Sequence, residues 1–290
     1  MTEKIFCTDS VWNDFVSLAG KNAGVSFPKE KLRVLETVDS TNAALLRELS
    51  GSPRLIDDSY SLTDAGRIMH KKILASAHQT SGRGRAGRVF YSPEKTGIYF
   101  SFVWIPKSEV LNPAMYTVSA AVGVSRAIDS VCGKESKIKW VNDIYVGEKK
   151  VCGILCEGFC GTRSGMLEAL VIGIGINLTM GFSDVPHEML GKAGGIFSED
   201  EKPSEDLRSK LLASSIYEIF SILESVGNVV DEYRKKSMLK NRLVMVRPLA
   251  GESDEAYRAR VMDISDDAGL LVKLDDGTEK ILYSGEVTLH

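Results

Sequence analysis

The densest chemistry in this chain is the run SGRGRAGR at 81–88, where Arg83, Arg85 and Arg88 alternate with Gly82, Gly84 and Gly87. No acid falls between Gln79 and Ser92. Three guanidinium groups on a glycine-rich backbone suit a ligand bearing carboxylate or phosphate oxygens, because each planar fork can donate two parallel hydrogen bonds. The glycines also spell GxGxxG and, with Val89, the kinase pattern GxGxxGxV. Neither pattern finds its context. A dinucleotide fingerprint needs a helix directly after it, and VFYSPEKTG cannot supply one past Pro93 and Gly97. HRD, DFG and a Walker A loop are all absent. On the segment alone, a solvated basic turn and a nucleic-acid patch are the other readings.

Further polar residues gather in short motifs. Ser40-Thr41-Asn42 falls at a strand-to-helix junction, where it can cap the helix or present donors and acceptors to a ligand. Asn142 and Asp143 end KWVND, which is also an ordinary turn sequence, and Lys150 opens the strand KVCGILCEG. Asn177 closes GIGIN, whose Gly173 and Gly175 can equally mark close packing of a strand. Five cysteines without a CxxC pair suit reduced thiols, and no His near Cys152, Cys156 and Cys160 completes a zinc site.

The elements that must hold these residues follow from periodicity. Asp9 can cap a helix carrying Val11, Trp12, Phe15 and Val16, and Asp39 or Ser40 caps a second one after the strand 32–38. Residues 51–70 read as a loop or insertion, 72–79 and 97–104 as strands. Asn112, Pro113 and Gly133 bracket a helix whose small residues suit burial. Strands at 136–141, 150–158 and 167–178 follow at short spacing and must be antiparallel neighbours. Residues 179–203 are irregular, Ser204 starts an amphipathic helix, and a short one spans 227–238. After Asn241 come short strands turned at DDAG and DDG. The fold class is α+β, a largely antiparallel mixed sheet flanked by helices, with domains at 1–239 and 240–290.

Bulk composition agrees. The 290 residues allow a large domain and a small one, and 36 basic against 39 acidic side chains argue against a dedicated nucleic-acid binder. No signal-peptide layout or apolar run of about 20 residues occurs, so the expectation is a soluble, cytoplasmic protein without a membrane partner.

Taken in order, STN, HQTSGRGRAGR, KWVNDI, KKVCGIL and GIGIN resemble the catalytic domain of biotin protein ligases. The tail YSGEVTL resembles the family's small SH3-like C-terminal domain, so the resemblance covers 32–290. It implies a class II synthetase-like catalytic fold and condensation of biotin with ATP and Mg²⁺ to biotinyl-5′-adenylate. Transfer to a lysine of a biotin carboxyl carrier protein or carboxylase carrier domain would follow. By resemblance, Ser40, Thr41, Asn42 and Gln79 serve the biotin head group, and Arg83, Gly84, Arg85 and Lys150 bind biotin and its carboxylate. Arg83, Arg85, Asn142, Asp143 and Asn177 face the nucleotide. Arg85 and Lys150 are the catalytic pair, and Asp143 is the candidate Mg²⁺ contact. Phe90 and Tyr91 either wall the ligand or pack in the core. Val141 stands where the family usually has proline, and Ala86 where many members carry arginine. A lipoate- or octanoate-type ligase of the same fold is the nearest alternative, ahead of a non-catalytic biotin sensor. The short segment before the first strand implies the form without an N-terminal DNA-binding domain, no specific nucleic-acid partner, and a monomer or homodimer.

Overall fold

In the computed structural model the described residues are 6–20, 25–161, 165–179, 193–198, 200–225, 227–248 and 255–289. Seven strands make the larger sheet: Leu32–Val38 (β1), Ile73–Gln79 (β2), Gly97–Trp104 (β3), Ser136–Lys139 (β4), Asp143–Val146 (β5), Lys149–Cys160 (β6) and Leu167–Asn177 (β7). Their spatial order is β1-β2-β3-β7-β6-β5-β4. β1 and β2 are parallel, with Leu32 opposite Ile73 and Val38 opposite Gln79, and every other pair is antiparallel. Parallel neighbours need a crossover, and here it contains the helices Thr41–Ser50 (α2) and Asp64–Met69 (α3). The short strand β5 was not separated from its neighbours in the sequence, because four residues carry too little periodicity.

All eight residues of β3 are buried, the pattern of a strand covered on both faces. Thr8–Ala19 (α1), Ala114–Cys132 (α4), Leu207–Glu224 (α5) and Val229–Lys236 (α6) form the main helical layer. α4 and α5 approach so closely that a Cβ on Gly123 would lie 2.7 Å from Ile219. The other face is covered by the crossover: Leu45, Leu49, Leu55, Ile56 and Met69 pack on Leu74, Val103, Ala169 and Val171. The stretch 51–70, expected to be an irregular insertion, therefore contributes a helix and core residues. The carboxylate of Glu168, 1% exposed, accepts a hydrogen bond from Leu55 N at 2.8 Å and ties this cover to β7.

Several helix ends differ from expectation by one to three residues. Cys7, not Asp9, occupies the cap of α1, and Val16 is exposed while Val11 and Phe15 are buried. α5 begins at Leu207, after a turn in which Ser204 Oγ donates to Asp206. Ser40 does cap α2, accepting from Ala43 N, and Gly133 takes the left-handed conformation (φ 63°) expected after α4. Most of the stretch 179–203 lies outside the described residues.

A second sheet holds Leu243–Arg247 (β8), Tyr257–Ile264 (β9), Leu270–Leu274 (β10), Glu279–Leu282 (β11) and Glu286–Leu289 (β12), ordered β11-β10-β9-β8-β12. Its turn at 265–269 docks beside β4, where the Trp140 indole N–H donates to Ala268 O at 2.9 Å. Arg234 on α6 donates to Ile264 O at 2.7 Å. No helix among the described residues is long and apolar enough to cross a membrane.

Candidate active site

A cleft of about 770 Å³ opens between the large sheet, the arginine-rich segment and strand β12. Ser40, Thr41, Asn42, Gln79, Arg83, Gly84, Arg85, Asn142, Asp143, Lys150 and Asn177 all line it, so every site residue expected from the sequence converges on one place. Phe90 and Tyr91 line it too. The size falls in the range of small-molecule sites, about 300–1,000 Å³.

Glycines floor the cleft. On β7, a Cβ at Gly173 would sit 2.0 Å from Asn42 Oδ1, and one at Gly175 would meet the Phe90 ring at 2.4 Å. On β6, Gly153 faces Gly175 across the ladder and lies 3.5 Å from Lys150 Nζ by the same measure. Asn42, Phe90 and Lys150 are thus ranged over a bare track of backbone. Two residues of strand span about 7 Å, so the polar groups around Asn42 and the ammonium of Lys150 stand at separate ends of it.

At the first end the polar groups are interlocked. Thr41 N donates to Gln79 Oε1 at 2.9 Å, and Gln79 Nε2 reaches Ser92 Oγ at 3.3 Å. The Ser101 hydroxyl, on β3, joins Thr41 Oγ1 at 2.6 Å to Asn42 Oδ1. Asn42 Nδ2 donates to Glu157 at 2.7 Å, and Glu157 in turn faces Arg83 at 3.9 Å. Ser101 and Glu157 were missed in the sequence. A serine fully buried inside the apolar run GIYFSFVW was the available signal for the first; nothing in the sequence marks the second.

At the other end are cations. The arginine-rich segment is a hairpin: Phe90 N donates to Gly82 O at 2.9 Å and Gly84 N to Arg88 O at 2.7 Å. Its tip turns through left-handed Ala86 (φ 53°) and Gly87 (φ 73°), so Ala86 supplies a conformation rather than a charge. Arg85 reaches across to Asn142 Oδ1 at 2.9 Å. Asn142 is itself fixed to β6, donating to Ile154 O at 3.0 Å and accepting from Ile154 N at 2.9 Å through its backbone. These bonds hold the turn that Val141 enters in place of proline. Lys150 pairs with Asp143 at 2.6 Å, a contact of opposite charges whose angle is poor for a directed hydrogen bond. Arg88 is ion-paired with Glu286 on β12. Burial pushes the pKa of Lys139 down, with Asp143 and Glu286 acting upward on it and Lys150 and Arg88 downward. Asn177 Oδ1 is buried at the cleft wall without a hydrogen-bond partner among the described residues. In total Arg83, Arg85, Arg88, Lys139 and Lys150 line the cleft against the carboxylates Asp143 and Glu286, an excess of positive charge that selects an anionic ligand.

Residues 67–177 match the model of the biotin/lipoate A/B protein ligase family. A solved biotin protein ligase from Aquifex aeolicus, in complex with biotin and ATP, superposes with a TM-score of 0.67 at 26% identity over 89% of this chain and 98% of that one. Over these residues the chain is similar to this family. Among curated proteins, the biotin–[acetyl-CoA-carboxylase] ligase of Mycobacterium tuberculosis is 27% identical over 94% of each chain. The bifunctional ligase/repressor BirA of Bacillus spizizenii is 36% identical over 40% of this chain, a match that spans 35% of the Bacillus protein. The family match falls on β2, β3 and β4 to β7, the strands that carry most of the cleft.

Proposed function

We propose that the chain joins biotin to ATP as biotinyl-5′-adenylate and passes the biotinyl group to a lysine of a biotin carrier protein. The observation that carries this reading is the cleft itself, a locked set of neutral donors and acceptors at one end of a glycine floor and cations at the other. Biotin has that polarity. Its ureido ring, one carbonyl and two N–H groups, suits Thr41, Asn42, Gln79 and Ser40, and its carboxylate suits Arg83, Arg85 and Lys150.

Joining a carboxylate to a phosphate brings two anions together, which costs most where water is excluded and is offset by preorganised cations there. Arg85, held by Asn142, and Lys150, held by Asp143, are already placed before substrate arrives. Gly84 keeps the hairpin backbone free to approach the ligand. A carboxylate oxygen attacks the α-phosphorus, and the developing charge is met by these two cations. Asn142, Asp143 and Asn177 take the nucleotide side. Mg²⁺ commonly binds phosphates with one or two carboxylates and waters. Asp143 fits that role as a single carboxylate beside the cations, and a metal entering with the triphosphate would supply further charge neutralisation. Among the described residues no cluster of three or more His, Cys, Asp or Glu side chains could hold a metal alone.

In the same reading the β8–β12 sheet is an SH3-like domain beginning at residue 240, and the protein works in the cytoplasm. The test is direct. With labelled biotin, ATP and Mg²⁺, the protein forms an acid-labile adenylate, and a carboxylase carrier domain then takes up stable label on one lysine. Absence of adenylate at saturating substrate contradicts the proposal.

A further inference from the structure

Two of the cations lining the cleft, Arg85 and Lys139, make no ion pair with any described residue. Arg85 has Asn142 as a neutral partner. Lys139 has neither an ion pair nor a hydrogen bond from its ammonium among the described residues. It ends β4, in register opposite Asp143 on β5, and its side chain is half-buried. Its electrostatic neighbours are the Lys150–Asp143 pair and the Arg88–Glu286 pair, so it stands between the sheet's cations and the second sheet. A half-buried ammonium without a partner is costly, and a cleft wall that tolerates one is arranged for an anion that arrives with the ligand.

The proposed function already assigns Arg83, Arg85 and Lys150 to the carboxylate and the α-phosphate. We propose that Lys139 binds the two phosphates that leave as pyrophosphate. The inference rests on the adenylation reading above. In that step a bond forms between a carboxylate oxygen and the α-phosphorus, and the bond from the α-phosphorus to its bridging oxygen breaks. The bridging oxygen keeps the electron pair and departs in pyrophosphate. Lys139 transfers no proton in this step; its ammonium offsets the charge growing on the leaving group.

The experiment separates the half-reactions in the full chain, using Lys139→Gln and Lys139→Arg. Starting from biotin and ATP, Lys139→Gln raises the KM for ATP and weakens inhibition by pyrophosphate, each by roughly tenfold to a hundredfold, and Lys139→Arg recovers most of both. Starting from supplied biotinyl-5′-adenylate, which lacks the leaving phosphates, transfer to a carrier domain proceeds at the unaltered rate. Equal slowing of both half-reactions, or an unchanged KM for ATP, overturns the assignment. Should the unaltered protein form no adenylate, the function has failed rather than the site, and calorimetric titration with pyrophosphate alone decides. Binding lost in Lys139→Gln supports the site; equal binding by both proteins overturns it.

Discussion

The arginine hairpin 82–90 and the crossover 51–72 both look like polar, irregular chain in the sequence, yet they do opposite work. The crossover buries Leu55, Ile56 and Met69 to 4% exposure or less and has an acidic partner for Arg54 and Arg67. The hairpin buries little apolar surface: Val89 is 76% exposed, Arg83 and Arg88 face Glu157 and Glu286, and Arg85 has no acidic partner among the described residues. One segment satisfies its charges and covers a sheet; the other leaves Arg85 facing the cleft with only the neutral Asn142 as partner. The one arginine of the two segments without an acidic partner among the described residues, Arg85, is the residue to which the proposed reaction assigns a transition-state role.

The sharpest way to break this contrast is Arg85→Ala. It lowers the rate of adenylate formation by about 10²–10³-fold, the cost of removing one preorganised transition-state donor, about 3–4 kcal/mol, with melting temperature unchanged. Leu55→Ala should do the reverse, costing about 3 kcal/mol of stability while leaving the kcat of the folded fraction intact; denaturant titration and active-site titration check both.

His70, at the end of the crossover, sharpens the comparison with pH. Burial lowers its pKa to about 4, helped by Lys71, Lys31 and Lys107, and its neutral Nδ1 accepts from Ile105 N at 3.1 Å. The unfolded chain, protonating near pH 6.5, binds the proton more readily, so stability is complete above that value and falls as pH drops toward 4. The expected loss between pH 7 and 5 is about 2 kcal/mol, absent in His70→Phe. Smaller still, Gly173→Ala pushes its methyl into Asn42 and raises the KM for biotin by about tenfold, about 1.4 kcal/mol, more than that for ATP. Asp58→Ala, on the outer surface of the crossover, changes neither activity nor melting temperature.

Much of the site was legible because its residues sit in short motifs with demanding chemistry. The arginines, STN, Asn142-Asp143, Lys150 and Asn177 were all found, and they meet in one cleft. The central strands were legible for a different reason, since buried apolar runs such as 97–104 leave few alternatives. What escaped depends on the third dimension. Glu157 and Glu286 look like any surface acid until Asn42, Arg83 and Arg88 are seen beside them. The crossover's role was hidden because its few apolar residues follow no period, and only the uncovered face of the sheet makes them core.

The central claim is that one cleft holds a carboxylate and a nucleotide phosphate together. Isotope exchange of pyrophosphate into ATP measures that union without a carrier protein. Exchange that requires biotin and is not supported by lipoate or octanoate is the predicted result. Exchange independent of biotin, or sustained equally by lipoate, would contradict it.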